Sequence, residues 1–191
     1  IPNSKLMLIG EAPGYWEDVK GKPFVRSAGQ LLDKIFECVG LSRQKDVYIC
    51  NTIKCRPPDN RNPLPEEKEA CREYLDKQLD ILKPKIIVIA GPTASGKTAL
   101  SIELAKEING EIISADSMQI YKEMNIGTAK PNSEEMQGIE HYLIDVVEPN
   151  KRYSVADYKQ DAKNAIREII EKREKTNLRR RNRTLYRFTN I

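Results

Sequence analysis

One stretch of the chain has glycines, a lysine and a threonine at the spacing of a phosphate-binding loop. The residues GPTASGKT at 91–98 fit the pattern G-x-x-x-x-G-K-S/T and follow five apolar residues, 86–90. In such a loop, backbone N–H groups surround phosphate oxygens and the next helix adds its positive N-terminus. We expect Lys97 to reach a terminal phosphate and Thr98 to bind Mg²⁺. The predicted phosphate-binding residues are Gly91, Thr93, Ala94, Ser95, Gly96, Lys97 and Thr98.

The composition is that of a surface-rich globular protein. The 191 residues are 39% hydrophobic and 31% charged, and no apolar run approaches the roughly 18 residues of a membrane span. We therefore expect a cytoplasmic protein without a membrane partner. The net charge is +4, but five arginines lie in residues 176–191, which hold no acid, so the remainder carries −1. Bulk charge thus gives no argument for nucleic-acid binding.

Apolar segments of strand and helix character alternate along the chain. We predict strands at 6–10, 47–53, 86–90, 111–115 and 141–147, and helices at 29–39, 66–82, 99–108 and 154–172. This alternation predicts an α/β fold, a parallel sheet of βαβ units with helices on both faces and the phosphate loop at the central strand. We predict segments at 1–84 and 85–173 and a disordered basic tail at 174–191.

The first half resembles the family 4 uracil-DNA glycosylases, iron–sulfur enzymes that remove uracil from DNA. The resemblance rests on GEAPG at 10–14, Asp18, GKPFV at 21–25, AGQLLD at 28–33, VYICN at 47–51, KCRPP at 54–58, Asn60, Arg61, Pro63 and EAC at 69–71. It implies that Glu11 lies in the water-activating motif, that Phe24 stacks on a flipped uracil and that Asn51 hydrogen-bonds its edge. Arg26 stands where the family has glycine, and we expect it to crowd the uracil pocket.

The four cysteines have two different expected roles. Cys55 and Cys71 match two of the four ligands of the family's 4Fe–4S cluster. Cys38 and Cys50 lie in apolar helix and strand patterns, so we expect both to be buried thiols. Because such a cluster needs four thiolates, we expect no stable cluster in this chain.

The second half resembles the N-terminal part of tRNA dimethylallyltransferase. The resemblance rests on GPTASGKT at 91–98, ISADSMQIY at 113–121, NIGTAKP at 125–131, HYLID at 141–145 and YSVADY at 153–158. That family transfers a dimethylallyl group from its diphosphate to N6 of a tRNA adenosine. The resemblance implies dimethylallyl diphosphate and Mg²⁺ at the loop and tRNA as partner. The two resemblances together therefore predict a fold in which a uracil-DNA-glycosylase-like half is joined to a half of P-loop NTPase type.

The resemblance assigns roles to one loop in the second half. Asp116 would hold or accept the proton of the adenine amine, a weak nucleophile. Together with Asp116, the residues Ser117, Met118 and Gln119 would contact tRNA. A role for Asp116 as a helix N-cap after the preceding strand remains an alternative and is compatible with the first. His141, the one histidine, is expected to be structural.

Three functions stay open from the sequence. They are a prenyltransferase-type enzyme, a uracil-recognising repair enzyme, and a phosphate-binding α/β module without catalysis. The family motifs that the chain lacks, the glycosylase His-Pro motif and the transferase tRNA-gripping domain, lead us to expect turnover of neither kind near the rate of an intact relative. The sequence makes no prediction of oligomeric state.

Overall fold

The computed structural model describes residues 4–92, 95–176 and 184–187. The chain forms two compact units, Ile1–Gly91 and Pro92–Ile191. Both contain parallel strands and helices, so the α/β class is confirmed. The boundary between the units follows Gly91, whereas the resemblances placed the change of family at residues 84–85.

The first unit is a set of two βαβ connections around a parallel sheet. Its elements are β1 (Leu6–Gly10), α1 (Tyr15–Lys20), α2 (Arg26–Cys38), β2 (Val47–Asn51), a 3-10 helix (Pro58–Asn60), α3 (Pro65–Leu82) and β3 (Ile86–Ile89). Strand β1 lies between β2 and β3, and Leu6 pairs in register with Val47 and Ile86. The carboxyl ends of β1 and β2 therefore meet at one edge, where ligand sites of such sheets form.

Helical periodicity decides which residues of α2 reach the core of the first unit. Gly29, Leu32 and Phe36 are buried at spacings of three and four, and Leu32 and Phe36 pack with Leu8 and Val47. Cys38 follows Phe36 by two positions, a rotation of about 200° that places it on the opposite face of the helix. Its thiol is exposed, so the prediction of a buried Cys38 is wrong. The prediction for Cys50 is confirmed, because this strand residue is 6% exposed.

The second unit also has a central parallel strand. Its elements are α4 (Lys97–Ile108), β4 (Ile112–Ser114), α5 (Ser133–Met136), β5 (His141–Tyr142), α6 (Val155–Thr176) and β6 (Thr184–Arg187). Strand β4 pairs with β5 and β6, and Ile112 is opposite both His141 and Leu185. Asn109 ends α4 in the left-handed conformation at φ 51°, as its position before Gly110 predicts.

Two segments of the second unit differ from the sequence-based expectation. The strand predicted at 141–147 ends at Tyr142, because Leu143 and Asp145 have φ values of 62° and 56°, which a strand does not accept. Residues 184–187 lie in the segment expected to be disordered and form β6 instead. The other tail residues, 177–183 and 188–191, are outside the described part of the chain. No helix among the described residues has the length and apolarity needed to cross a membrane.

Candidate functional site

The side chains of Asn51 and Phe24 meet above Gly10 at the carboxyl edge of the first unit's sheet. Gly10 and Asn51 are register partners at the ends of β1 and β2. A Cβ atom at Gly10 would lie 2.5 Å from Asn51 Oδ1 and 2.8 Å from Phe24 Cε2. The absence of a side chain at Gly10 is therefore what lets the amide and the ring come together.

The backbone at Phe24 is fixed by three neighbours, Glu17, Arg43 and Gly29. Phe24 has φ 51°, in the left-handed region. Its N–H donates to the Glu17 carboxylate, and its carbonyl accepts from Arg43 Nη2 at 2.8 Å. Arg43 is in turn paired with Asp33 at 2.7 Å. A Cβ at Gly29 would lie 1.9 Å from the Phe24 carbonyl oxygen, so only glycine allows α2 to pass this close.

Glu11 is held at the same edge through its backbone. The pairing of β1 with β2 continues past the strands, because Thr52 N–H donates to Gly10 O at 2.8 Å and Ile53 N–H donates to Glu11 O at 3.2 Å. The Thr52 hydroxyl also donates to Glu11 O at 2.5 Å. The structure thus places Glu11 directly beside the Gly10–Asn51 pair, with its side chain half-buried.

A cavity of about 440 Å³ opens beside Asn51. This volume lies within the usual range of small-molecule sites, roughly 300–1,000 Å³. Its wall includes Asn51, Pro13 and Asp18 from the motifs above, together with Tyr48, Lys54 and Gln78. Glu11 and Phe24 do not line this cavity, and neither does Arg26, which we expect to crowd the uracil pocket. The Arg26 guanidinium lies 3.9 Å from the centre of the Trp16 ring.

Three side chains to which the sequence assigned no role, Lys54, Gln78 and Tyr48, form a polar chain along this wall. Lys54 Nζ donates to the carbonyl of Asn51 at 2.7 Å and to Gln78 Oε1 at 2.8 Å. Gln78 Nε2 donates to the Tyr48 hydroxyl at 3.0 Å. Burial lowers the pKa of Lys54 and raises the pKa of Tyr48. Lys54 thereby fixes the backbone of Asn51. The sequence signal for this role is the position of Lys54 three residues after Asn51.

The two cysteines that match cluster ligands differ in their surroundings. Cys55 is exposed and Cys71 is half-buried, with its Sγ accepting from Lys54 N–H at 3.4 Å. Burial raises the pKa of the Cys50 thiol to about 11, which disfavours the thiolate that iron needs. Within the described ranges no three His, Cys, Asp or Glu side chains form a metal-binding group.

The phosphate loop leads into α4 as its sequence pattern requires. Gly96 caps the helix with φ 85°, a conformation that glycine adopts without steric cost. Lys97 is the first residue of α4, is 7% exposed and donates its Nζ to the Pro92 carbonyl. Thr98 is half-buried, and its hydroxyl suits Mg²⁺, a cation that prefers oxygen ligands. Of the predicted loop residues, Thr93 and Ala94 lie outside the described part.

The Asp116 loop is held by the side chains at both its ends. Asp116 Oδ1 accepts from the N–H groups of Met118 at 2.9 Å and Gln119 at 3.3 Å, which forms a side-chain turn. Residues 117–120 are a turn and no helix begins here, so Asp116 is not a helix N-cap. Asp116 is half-buried, while Ser117 and Met118 are exposed. His141 Nδ1 lies 2.9 Å from the Ile139 carbonyl oxygen, a contact in keeping with a structural role.

Gln119 joins this loop to the next one. Its side chain is 1% exposed. The amide nitrogen donates to the carbonyls of Thr128 and Ala129 at 3.0 Å, and the Ser114 hydroxyl donates to Gln119 Oε1 at 3.1 Å. Gln119 thus has a structural role, and the tRNA contact predicted for it would require its amide to leave these partners.

Comparison with known proteins finds both resemblances. The family model of the uracil DNA glycosylase superfamily matches residues 1–172. The tRNA dimethylallyltransferases of Staphylococcus haemolyticus and Alkaliphilus oremlandii are each 61% identical, over 93 and 90 residues, 49% and 47% of this chain. The chain spans only 28% and 29% of their lengths. The solved tRNA isopentenylpyrophosphate transferase of Bacillus halodurans is 45% identical over 56% of this chain and 32% of its own, with a TM-score of 0.48.

Proposed function

Because the chain belongs to the uracil DNA glycosylase superfamily, we propose that its first unit recognises a uracil base extruded from DNA. The observation that carries this proposal is the meeting of the Asn51 amide and the Phe24 ring over Gly10. Asn51 also lines the cavity of about 440 Å³. Base-flipping enzymes read an extruded base in this way, by stacking and by hydrogen bonds to its edge.

The chemistry of the two side chains matches that of uracil. The base presents an N–H donor beside a carbonyl acceptor, and an asparagine amide offers one acceptor and two donors. The Phe24 ring supplies a face on which the base stacks. Lys54 holds the backbone of Asn51 through its carbonyl, which keeps the amide in place before the base arrives. Glu11, at the same edge, is the group that would position a water.

Affinity for a uracil-containing single strand tests this proposal. We expect the full chain to bind an oligonucleotide with one uracil more tightly than the same strand with an abasic analogue. Asn51→Leu removes the hydrogen bonds at nearly constant volume and should weaken uracil binding about tenfold, since two such bonds contribute roughly 1–3 kcal/mol. Phe24→Ala should cost a similar factor through lost stacking.

Asn62→Leu is the matched control, because Asn62 is an exposed asparagine of the same unit. Equal affinity of wild type, Asn51→Leu and Asn62→Leu for the uracil strand would contradict the proposal. A wild type that binds the uracil and abasic strands equally would contradict it too.

A second function is favoured by the second unit. We propose that it binds a prenyl diphosphate with Mg²⁺, and that its partner is tRNA, as the names of its relatives suggest. The support is the left-handed Gly96 followed by Lys97 at the start of α4, together with 61% identity to tRNA dimethylallyltransferases. Lys97 and the loop amides would bind the diphosphate, and Thr98 would contribute an oxygen to Mg²⁺. Asp116 would accept the proton of the attacking adenine amine.

Calorimetry with dimethylallyl diphosphate and Mg²⁺ tests the second function. Lys97→Ala should remove most of the binding, because it deletes the cation that the loop presents to the ligand. Lys106→Ala is the control, since Lys106 is an exposed lysine of the same helix. Equal affinity of the two variants would contradict the proposal.

A further inference from the structure

Two exposed aromatic rings and two guanidinium groups form a continuous row on the first unit. The Tyr15 and Trp16 rings are 5.1 Å apart and nearly perpendicular. Arg26 lies 3.9 Å from the centre of the Trp16 ring, and Arg56 lies 5.1 Å from the centre of the Tyr15 ring. We call these four residues, in the order Arg26, Trp16, Tyr15, Arg56, the Arg–aromatic row.

The rings of the row are unusually accessible for their size. Tyr15 is 49% exposed and Trp16 is 39% exposed, and α1, which carries both, has no buried residue. Large aromatic side chains normally bury most of their surface. The row therefore contributes little to the core of the unit, and packing gives no reason for two adjacent rings at this place.

The charge around the row is predominantly positive. Neither Arg26 nor Arg56 forms an ion pair with any described residue; Arg56 donates only to the neutral Asn60 amide, at 2.7 Å. Lys20 and Lys22 are exposed at the end of α1. The acids of α1 are Glu17, whose carboxylate accepts from the Gly14 and Phe24 N–H groups, and the exposed Asp18. The two stacked guanidinium groups thus keep their charge for an anionic partner.

Helix α1 also borders the cavity described above. Glu17 and Asp18 line that cavity, while the two residues before them, Tyr15 and Trp16, carry the row. The backbone at Arg26, where the row ends, has φ 64°, a conformation rare for residues other than glycine and concentrated at functional sites. A strand that enters the cavity with one base would have its neighbouring nucleotides close to the row.

We propose that the Arg–aromatic row binds single-stranded nucleic acid. Bases stack on the Tyr15 and Trp16 rings, and the Arg26 and Arg56 guanidinium groups contact the phosphates. Interleaved aromatic and cationic side chains are the means by which proteins hold single strands, because every base has a face to stack. In a duplex the bases are already stacked on one another and cannot reach the rings. This binding needs no uracil, so it stands or fails independently of the function proposed above.

Fluorescence of Trp16 provides a direct readout, because Trp16 is the one tryptophan in the sequence. We expect an oligodeoxyadenylate of about twelve nucleotides, a length within the usual range of such sites, to quench this fluorescence saturably. A duplex of the same length should quench it far less. Oligoadenylate serves as the RNA arm, and quenching by either single strand supports the proposal. Absence of quenching by both would overturn it.

Variants then assign the binding to the row. By fluorescence anisotropy, Tyr15→Ala should lose about 5- to 150-fold in affinity, the range that one stacked base supplies, and Trp16→Phe should retain most of it. Tyr74→Ala is the control, since Tyr74 is an exposed ring on α3, 58% exposed against 49% for Tyr15. Arg26→Gln should reduce the slope of log affinity against log salt by about 0.7, and so should Arg56→Gln. Arg72→Gln removes the same charge from a residue paired with Asp76 and should not change the slope. Tyr15→Ala with the same affinity as Tyr74→Ala would overturn the proposal.

Discussion

Gly10→Ala is the smallest substitution that separates the two side chains of the proposed uracil site. The new methyl group would lie 2.5 Å from Asn51 Oδ1 and 2.8 Å and 2.9 Å from two carbons of the Phe24 ring. Since ordinary contact begins near 3.4 Å, the amide must retreat by about 0.9 Å and the ring by about 0.6 Å. Asn51 is 8% exposed and Phe24 packs against the core cluster that contains Leu8 and Val47, so both shifts press on neighbouring side chains.

The displacement has a cost in stability and a cost in binding. Inserting a methyl group into a packed site typically costs about 1–3 kcal/mol, which corresponds to a fall of roughly 2–12 °C in the unfolding midpoint of a chain of this size. Uracil affinity should fall about tenfold or more, because the amide and the ring no longer meet the base together. Denaturant unfolding and anisotropy with the uracil strand measure the two effects on one sample.

Gly14→Ala is the control for this prediction. A Cβ at Gly14 meets only Glu17 Oε2, at 3.6 Å, which is ordinary contact. We expect its stability and uracil affinity to remain near the wild-type values. If Gly10→Ala unfolds at the same denaturant concentration as Gly14→Ala and keeps full uracil affinity, the reasoning about the Asn51–Phe24 pair is refuted.

The remaining predictions concern the thiols and one surface carboxylate. Because burial raises the pKa of Cys50 to about 11, iodoacetamide at about pH 8 should label Cys38 and Cys55 first and Cys50 last; early labelling of Cys50, seen by mass spectrometry, would contradict its burial. Anaerobic reconstitution should give no stable cluster, and about four irons per chain would show otherwise. The hydrogen bond from Arg61 lowers the pKa of Glu67 from 4.5 to about 2. The wild type should therefore be more stable than Glu67→Gln above the pKa of glutamate in the unfolded chain, and this difference in stability should disappear as the pH falls through about 2. Thermal unfolding that shows the same difference between the two proteins at every pH would contradict this prediction.

Regular periodicity made much of the fold predictable. The strands at 6–10 and 86–89 and the helices ending at Leu82 and Ile108 follow from apolar spacing and from the residues that end them. The short elements were not predictable. Helix α1 has no buried residue and hence no apolar face to detect. Strand β5 is short because Leu143 and Asp145 adopt left-handed conformations, which no pattern in HYLID indicates.

The sequence indicated candidate site residues only within the motifs of the resemblance. The resemblance assigned Phe24 and Asn51 to one pocket. The structure brings the two side chains together at Gly10, but Phe24 does not line the cavity beside Asn51. The resemblance did not find Gln78 or Tyr48, because their hydrogen bond joins residues 30 positions apart and leaves no local signal. The wrong prediction for Cys38 has a local cause. The helix that carries Cys38 was predicted, but the sequence pattern did not show which of its faces is buried.

The most direct test of the central claim is the response of the Asn51 side-chain amide to uracil. In an NMR titration of the full chain with free uracil, we expect the Asn51 side-chain NH₂ signals to shift saturably. The signals of the exposed Asn62 amide should stay in place. The same titration with Asn51→Leu should lose the binding. Uracil that shifts neither the Asn51 amide nor the Phe24 ring signals, or that shifts the Asn62 amide equally, would contradict the account.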